Sequence, residues 1–158
     1  MGCFMGVMMK YIRIILCINL VVIGIKAQDD HMREVTAGQL SNMIDRKKYD
    51  PSFDVTIINV LNSDAYRDCH IQSSINLPLM KPFKNRVHNR LKSGKWKKDK
   101  TIVVYCANAT CPLSRYAYQI LTKEFGFTNV WSYEGGISDW VQQGYPTIGL
   151  AHGGCLKS

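Results

Sequence analysis

At 158 residues, with 46% hydrophobic and 20% charged side chains and no repeat or low-complexity run, the chain holds one ordinary domain and an appendage. The formal net charge is +8, but Lys10, Arg13 and Lys26 lie in residues 1–27, which hold no acid; the remainder has 17 basic against 12 acidic residues. That mild excess suits anionic small molecules or acidic surfaces, and with no pattern of base-stacking aromatics it argues against nucleic acid as a partner.

In chain order, residues 1–27 read as an export signal peptide. Lys10 and Arg13 form a basic start, residues 14–25 are almost wholly apolar, and Ala27 ends a plausible cleavage site. The apolar stretch is shorter than the roughly 20 residues a membrane span needs. A cleaved signal implies a periplasmic or secreted protein with no stable membrane association. The alternative is an uncleaved N-terminal membrane anchor. Cys3 and Cys17 would leave with the signal. Cys69, Cys106, Cys111 and Cys155 remain, an even number able to pair in an oxidising compartment. Four cysteines are too few for a disulfide scaffold, so the core must carry the folding.

The domain is expected over residues 35–150. Thr36-Ala37-Gly38-Gln39 is a capping box, followed at helical spacing by Leu40, Met43 and Ile44. Residues 49–52 form a turn. Residues 55–60 are a β-branched run, the mark of a strand buried on both faces. The spacing predicts a short helix over 63–69, a short strand through Ile75 and Leu77, and a helix over 83–91. Residues 101–105, Thr-Ile-Val-Val-Tyr, are the clearest strand. Leu113, Ala117, Ile120, Leu121 and Phe125 mark an amphipathic helix stopped by Gly126. A strand over 130–133 and a short helix carrying Ile137, Trp140 and Val141 complete the domain. Residues 151–158 read as a flexible tail. Strands alternating with helices imply an α/β fold with a mainly parallel sheet, whose ligand site lies beyond the carboxyl ends of the strands.

The strand over 101–105 delivers Cys106 to that edge. Ala107, Asn108, Ala109, Thr110 and Cys111 form a loop of small and polar residues, and Pro112 suits the first residue of the next helix. Such a loop can turn its N–H groups inward at the sulfur and, with the helix N-terminus, cradle an anion. That setting lowers a thiol's pKa and stabilises a thiolate or persulfide. The same residues also permit a buried structural thiol.

An ordered set of motifs over residues 55–146 resembles the rhodanese homology domain. Its parts are Ala65-Tyr66, His70-Ile71, Ser74-Ile75-Asn76-Leu77-Pro78, Val103-Val104-Tyr105-Cys106, Asn129-Val130, Tyr133-Glu134-Gly135-Gly136-Ile137, Trp140 and Gly144-Tyr145-Pro146. The resemblance implies a five-stranded parallel sheet flanked by helices on both faces. It also implies a sulfurtransferase working by double displacement: Cys106 takes a sulfane sulfur from thiosulfate or a related donor as a persulfide, then passes it to a thiol or cyanide. Residues 107–111 would bind the donor, without metal or cofactor. The implied partners are a small anionic sulfur donor and a thiol acceptor or redox partner protein.

Three departures from the family pattern qualify this. Asn59-Val60-Leu61 stands where the family often has Asp-x-Arg. Cys69 stands where Gly commonly precedes His70. The loop is long: four residues separate Cys106 from Cys111, and Ser114 lies eight past Cys106. Cys111 is either a resolving thiol that discharges the persulfide and leaves a disulfide, or a small residue at the helix N-cap. A noncatalytic sulfur-carrier module, or a thiol–disulfide oxidoreductase using Cys106 and Cys111, are the alternative functions. A Cys-dependent phosphatase needs Cys-x5-Arg to fork onto phosphate, but position 112 is Pro and Arg115 lies nine past Cys106. None of His31, His70, His88 and His152 pairs with a cysteine at zinc-finger spacing. Residues 81–100 hold nine Lys or Arg and one acid, Asp99: a solvated basic face, or an attraction for thiosulfate or an acidic partner. Tyr105 and Tyr133 sit at strand ends, packing the core or lining the pocket.

Overall fold

The computed structural model describes residues 31–80 and 82–150. The expected signal and tail, with Cys3, Cys17, His152 and Cys155, lie outside the described residues. Helix α1 (Ala37–Tyr49) starts at the expected capping box. The Thr36 hydroxyl accepts from the Gln39 N–H (3.3 Å), and the Gln39 side chain accepts from the Thr36 N–H (2.9 Å). Arg46, Lys47 and Lys48 in its last turn complement the helix dipole. Then follow β1 (Val55–Asn59), α2 (Ser63–Asp68), β2 (His70–Ile71), β3 (Ser74–Asn76), α3 (Phe83–Lys92), β4 (Thr101–Tyr105), α4 (Leu113–Gln119), β5 (Val130–Tyr133), α5 (Gly136–Gln142) and β6 (Thr147–Ile148). The amphipathic helix expected over 113–125 changes pitch: α4 runs into a π-helical turn, Ile120–Glu124, before Gly126 stops it at φ +66°.

One parallel sheet has the order β3-β1-β4-β5. It has four strands rather than the expected five. A single parallel bridge, Glu34 to Ser132, stands where a fifth strand would pair. There the Val35 N–H donates to Ser132 O (3.0 Å) and the Ser132 N–H donates to Arg33 O (2.8 Å). Thr36 then caps α1 and turns the chain away, so the pairing cannot lengthen. β2 and β6 form a separate antiparallel pair.

Period-2 alternation along the central strands decides which side chains face which helices. Ile57, Val103 and Tyr105 pack on one face with Leu40 of α1 and Trp140 of α5. Ile58, Ile102 and Val104 pack on the other with Val87 of α3 and Leu121. All of these are at most 1% exposed, and each stabilises the fold by about 1.5–3 kcal/mol through burial. Cys106 continues the second series, so its parity sends the sulfur toward α3 and α4. No helix among the described residues is long and apolar enough to cross a membrane.

Candidate active site

Cys106 leaves β4 at the carboxyl edge of the sheet, and two structures fix the loop that follows. The first is a tight turn at Asn108. Its side-chain oxygen accepts from the Thr110 N–H (3.2 Å) and hydroxyl (2.8 Å), and its carbonyl accepts from the Cys111 N–H (3.1 Å). The second is the start of α5. The Ile137 N–H donates to Cys106 O (3.0 Å) and the Ser138 N–H to Ala107 O (2.9 Å). Gly136 permits this approach: its φ is +63°, and a Cβ there would lie 2.6 Å from Cys106 O. The Glu-Gly-Gly motif therefore docks a helix start onto the root of the loop. Pro112 sits at the N-cap of α4, one residue before the helix proper.

The two loop thiols have different surroundings. Cys106 is fully buried. Its thiol lies within reach of Cys111 O (3.2 Å), Asn108 O (3.8 Å) and the Ser114 hydroxyl (3.4 Å). A carbonyl can accept from S–H but cannot donate to a thiolate. Burial pushes the Cys106 thiol above its ordinary value. The hydroxyl and N–H of Ser114 oppose that shift, while the neighbouring Cys111 thiol adds to it. Cys111 is only half-buried. Burial raises its thiol too. The neighbouring Cys106 thiol and the backbone of Ala107 and Leu113 nonetheless bring it below the ordinary value, against the nearby Glu134 carboxylate. Within the loop the Thr110 and Cys111 N–H groups serve Asn108.

Ser114 and Glu134 extend the site beyond the expected residues. Glu134 Oε1 accepts from the Ser132 hydroxyl (2.7 Å) and, more weakly, from the Ser114 hydroxyl (3.5 Å). Its Oε2 accepts from Arg115 (3.0 Å). In the sequence, Ser114 is marked only by its spacing from Cys106 and Glu134 only by its place in the Tyr133–Ile137 signature. The signal for both was position, one on the first turn after the loop and one at the end of the strand beside β4. Asn59 and Leu61, in the Asp-x-Arg positions, form no charged pair; Asn59 is fully buried and its side-chain oxygen accepts from the Leu61 N–H (2.9 Å).

The remaining expected residues fall outside the loop. His70 stacks on Tyr66 (centroids 3.8 Å apart) and hydrogen-bonds Tyr66 O (2.7 Å), a structural role. Tyr105 and Tyr133 are core residues. Cys69 is disulfide-bonded, whereas Cys106 and Cys111 are free thiols. Within the basic segment, Lys84 pairs with Glu124, Lys98 with Phe125 O and Lys100 with Asp54. A cavity of about 510 Å³ beside Asp54, Lys95, Lys97 and Lys100 opens at the amino ends of β1 and β4, the end of the sheet away from Cys106.

Comparison with known proteins agrees with this geometry. The model of the rhodanese-like domain matches residues 36–143. A protein from Bacillus halodurans has a similar structure (TM-score 0.59, 25% identity, 75% of this chain and 78% of that one). So does the rhodanese-like domain of an Anabaena sp. protein (TM-score 0.58, 24% identity, 78% and 83%). Thiosulfate sulfurtransferase from Pseudomonas aeruginosa shares the fold at 22% identity (TM-score 0.59, 75% of this chain and 20% of that one). No curated protein matches the chain. With a parallel α/β sheet, a cysteine at the tip of its central strand and a family match over most of the described residues, the chain belongs to the rhodanese-like domain family.

Proposed function

We propose that the protein is a sulfurtransferase that moves a sulfane sulfur from thiosulfate, or a related anionic donor, to a thiol or cyanide acceptor through a persulfide on Cys106. The observation that carries this reading is the pair of free thiols, Cys106 and Cys111, at the carboxyl end of β4 in a rhodanese-like fold. In the first half-reaction a loop thiolate attacks the sulfane sulfur, an S–S bond forms, and sulfite leaves with the electron pair of the broken S–S bond. In the second, cyanide or a thiolate attacks the outer sulfur and regenerates the cysteine thiolate. No metal or cofactor takes part. Thiocyanate formation from thiosulfate and cyanide tests the reading. Turnover is expected to fall at least about 100-fold in Cys106→Ser; equal rates in the two proteins would dispose of it.

Export through residues 1–27 to the periplasm or exterior is part of the same proposal. The Cys69 disulfide supports it, since such bonds persist in oxidising compartments. There the acceptor is a small thiol or a redox partner protein.

A second reading, thiol–disulfide exchange by the same pair, draws on two free thiols held in one loop, with the Cys106 sulfur 3.2 Å from Cys111 O. If Cys111 attacks the inner sulfur of a Cys106 persulfide, a Cys106–Cys111 disulfide forms and hydrosulfide leaves, and a dithiol must then reduce the protein. Thiosulfate-dependent loss of both free thiols, reversed by dithiothreitol, marks this branch.

A further inference from the structure

We propose that Ser114 is a catalytic residue whose hydroxyl changes direction during the reaction: it accepts from the Cys106 thiol at rest and donates to the Cys106 thiolate, with Glu134 as the positioning residue that sets which way it points. The step rests on the sulfurtransferase reading and specifies how its nucleophile is supported.

Three observations converge on Ser114. The first is the scarcity of donors around the nucleophile. Cys106 is 0% exposed, so bulk water does not reach its sulfur. The described contacts of that sulfur are Cys111 O (3.2 Å), the Ser114 hydroxyl (3.4 Å) and Asn108 O (3.8 Å). All three can accept from S–H, but a carbonyl has no hydrogen to offer a thiolate. A buried anion without a donor is costly. Among these contacts Ser114 alone can turn a hydrogen onto the sulfur.

The second is where Ser114 stands. It is the second residue of α4, fully buried, and its hydroxyl lies between Cys106 Sγ (3.4 Å) and Glu134 Oε1 (3.5 Å). At rest the S–H donates to the Ser114 oxygen, and the Ser114 O–H donates to the carboxylate. Once the sulfur is ionised, rotation of the hydroxyl exchanges its bond to Glu134 for one to the thiolate, and no heavy atom has to move.

The third is that Glu134 releases the hydroxyl at little cost. The bond to Ser114 is the longest of those it accepts: Oε1 keeps the Ser132 hydroxyl (2.7 Å) and Oε2 keeps Arg115 (3.0 Å). A hydrogen bond to an anion is about twice as strong as a neutral one, so the reversal favours the thiolate. Among the described residues, the charged or titratable groups along this path are Cys111 of the loop, Arg115 of α4 and Glu134 at the end of β5. The thiolate bonds the sulfane sulfur of thiosulfate, the S–S bond of thiosulfate breaks with its electron pair on sulfite, and the proton given up by the thiol goes out on that sulfite. The same thiolate is the leaving group of the second half-reaction, so Ser114 serves both.

The pH dependence of iodoacetamide alkylation at Cys106, mapped to its own peptide in the full-length protein, reads the thiolate. Ser114→Ala is expected to move the midpoint up by about one pH unit, and to slow the gain of sulfur from thiosulfate near pH 7, followed by intact mass, about tenfold. Glu134→Gln is expected to move the midpoint down, because the hydroxyl is freed for the sulfur and a nearby carboxylate is removed. Structural damage alone has no reason to shift the two variants in opposite directions. In the Ser114→Ala background the Glu134→Gln shift should shrink at least about twofold. A Ser114→Ala midpoint equal to that of the wild type overturns the catalytic role. A Glu134→Gln shift that survives undiminished without the hydroxyl overturns the positioning role. A wild type that never gains sulfur would instead sink the sulfurtransferase reading, while the alkylation midpoints still decide what Ser114 does for Cys106.

Discussion

Asn59 shows how this chain manages without the charged pair common in its family. It ends β1 fully buried, with its side-chain oxygen on the Leu61 N–H and the Tyr105 hydroxyl beside it. Leu61 packs among apolar neighbours where an arginine would otherwise stand. A carboxylate at position 59 would therefore be a buried charge without a counter-ion. Asn59→Asp is expected to cost about 3–5 kcal/mol in urea denaturation at neutral pH. Adding Leu61→Arg should return part of that loss; a double variant no more stable than the single one would show that charge pairing is not the cause. The missing pair was legible in the sequence, and so was Cys106 at the tip of a buried strand. The different surroundings of the two thiols were not. They depend on which carbonyls and amides the eight-residue path from Cys106 to Ser114 turns inward, and small polar residues at 107–110 leave that conformation open. Strand parity did carry a hint: Cys106 follows Ile102 and Val104 by twos, so a side chain facing the buried α3–α4 layer was readable from the pattern.

At the scale of elements, the strands and helices were legible because each carried its own local signal. The capping box at Thr36, the β-branched runs of β1 and β4 and the glycine after α4 all act over a few residues. The fifth strand failed for a reason of the same kind: the cap at Thr36 ends the pairing of Glu34 with Ser132 after one bridge. The docking of α5 on the loop is long-range and was hidden in the Gly135-Gly136 pair. Gly136 and Gly126 both have positive φ, +63° and +66°, but only the first is crowded: a Cβ on Gly136 would meet the backbone of Cys106 and Ala107 at 2.6–2.8 Å, whereas at Gly126 nothing lies within 4 Å. Gly126→Ala is expected to cost only the conformational penalty, about 1 kcal/mol. Gly136→Ala must also push α5 off the active loop, and should cost at least about 3 kcal/mol and slow persulfide formation. Equal destabilisation of the two variants in chemical denaturation would mean that the close approach contributes nothing.

At the scale of the whole molecule, two buried phenols tie the carboxyl edge of the sheet to its surroundings, and alkali should loosen both. The Tyr105 hydroxyl at the end of β4 accepts from the Ile71 N–H (3.0 Å) and shares a hydrogen bond with Ser74 (2.9 Å). The Tyr133 hydroxyl at the end of β5 donates to Asp139 of α5 (2.6 Å). Burial pushes Tyr105 up to about 12, despite the hydrogen bonds with Ser74 and the Ile71 N–H that favour the tyrosinate. Tyr133 is raised as well, by burial first and then by the Asp139 carboxylate that accepts its proton. An unfolded tyrosine ionises near pH 10. Below that value both states hold the proton and the full stability is present. Above it the unfolded chain gives up protons that the folded one retains, so stability falls as the pH climbs from about 10 through the folded values. At about 1.4 kcal/mol per pH unit, less the part offset as the folded group itself begins to ionise, Tyr105 alone accounts for about 2 kcal/mol by pH 12. Urea midpoints taken between pH 9 and 12, with tyrosinate absorbance followed in parallel, should decline together, and Tyr105→Phe should flatten part of the slope because it has no proton to lose. A midpoint independent of pH across that window would mean that neither hydroxyl is sealed from solvent, and that the carboxyl edge beneath the thiol loop is open rather than bolted to β2, β3 and α5.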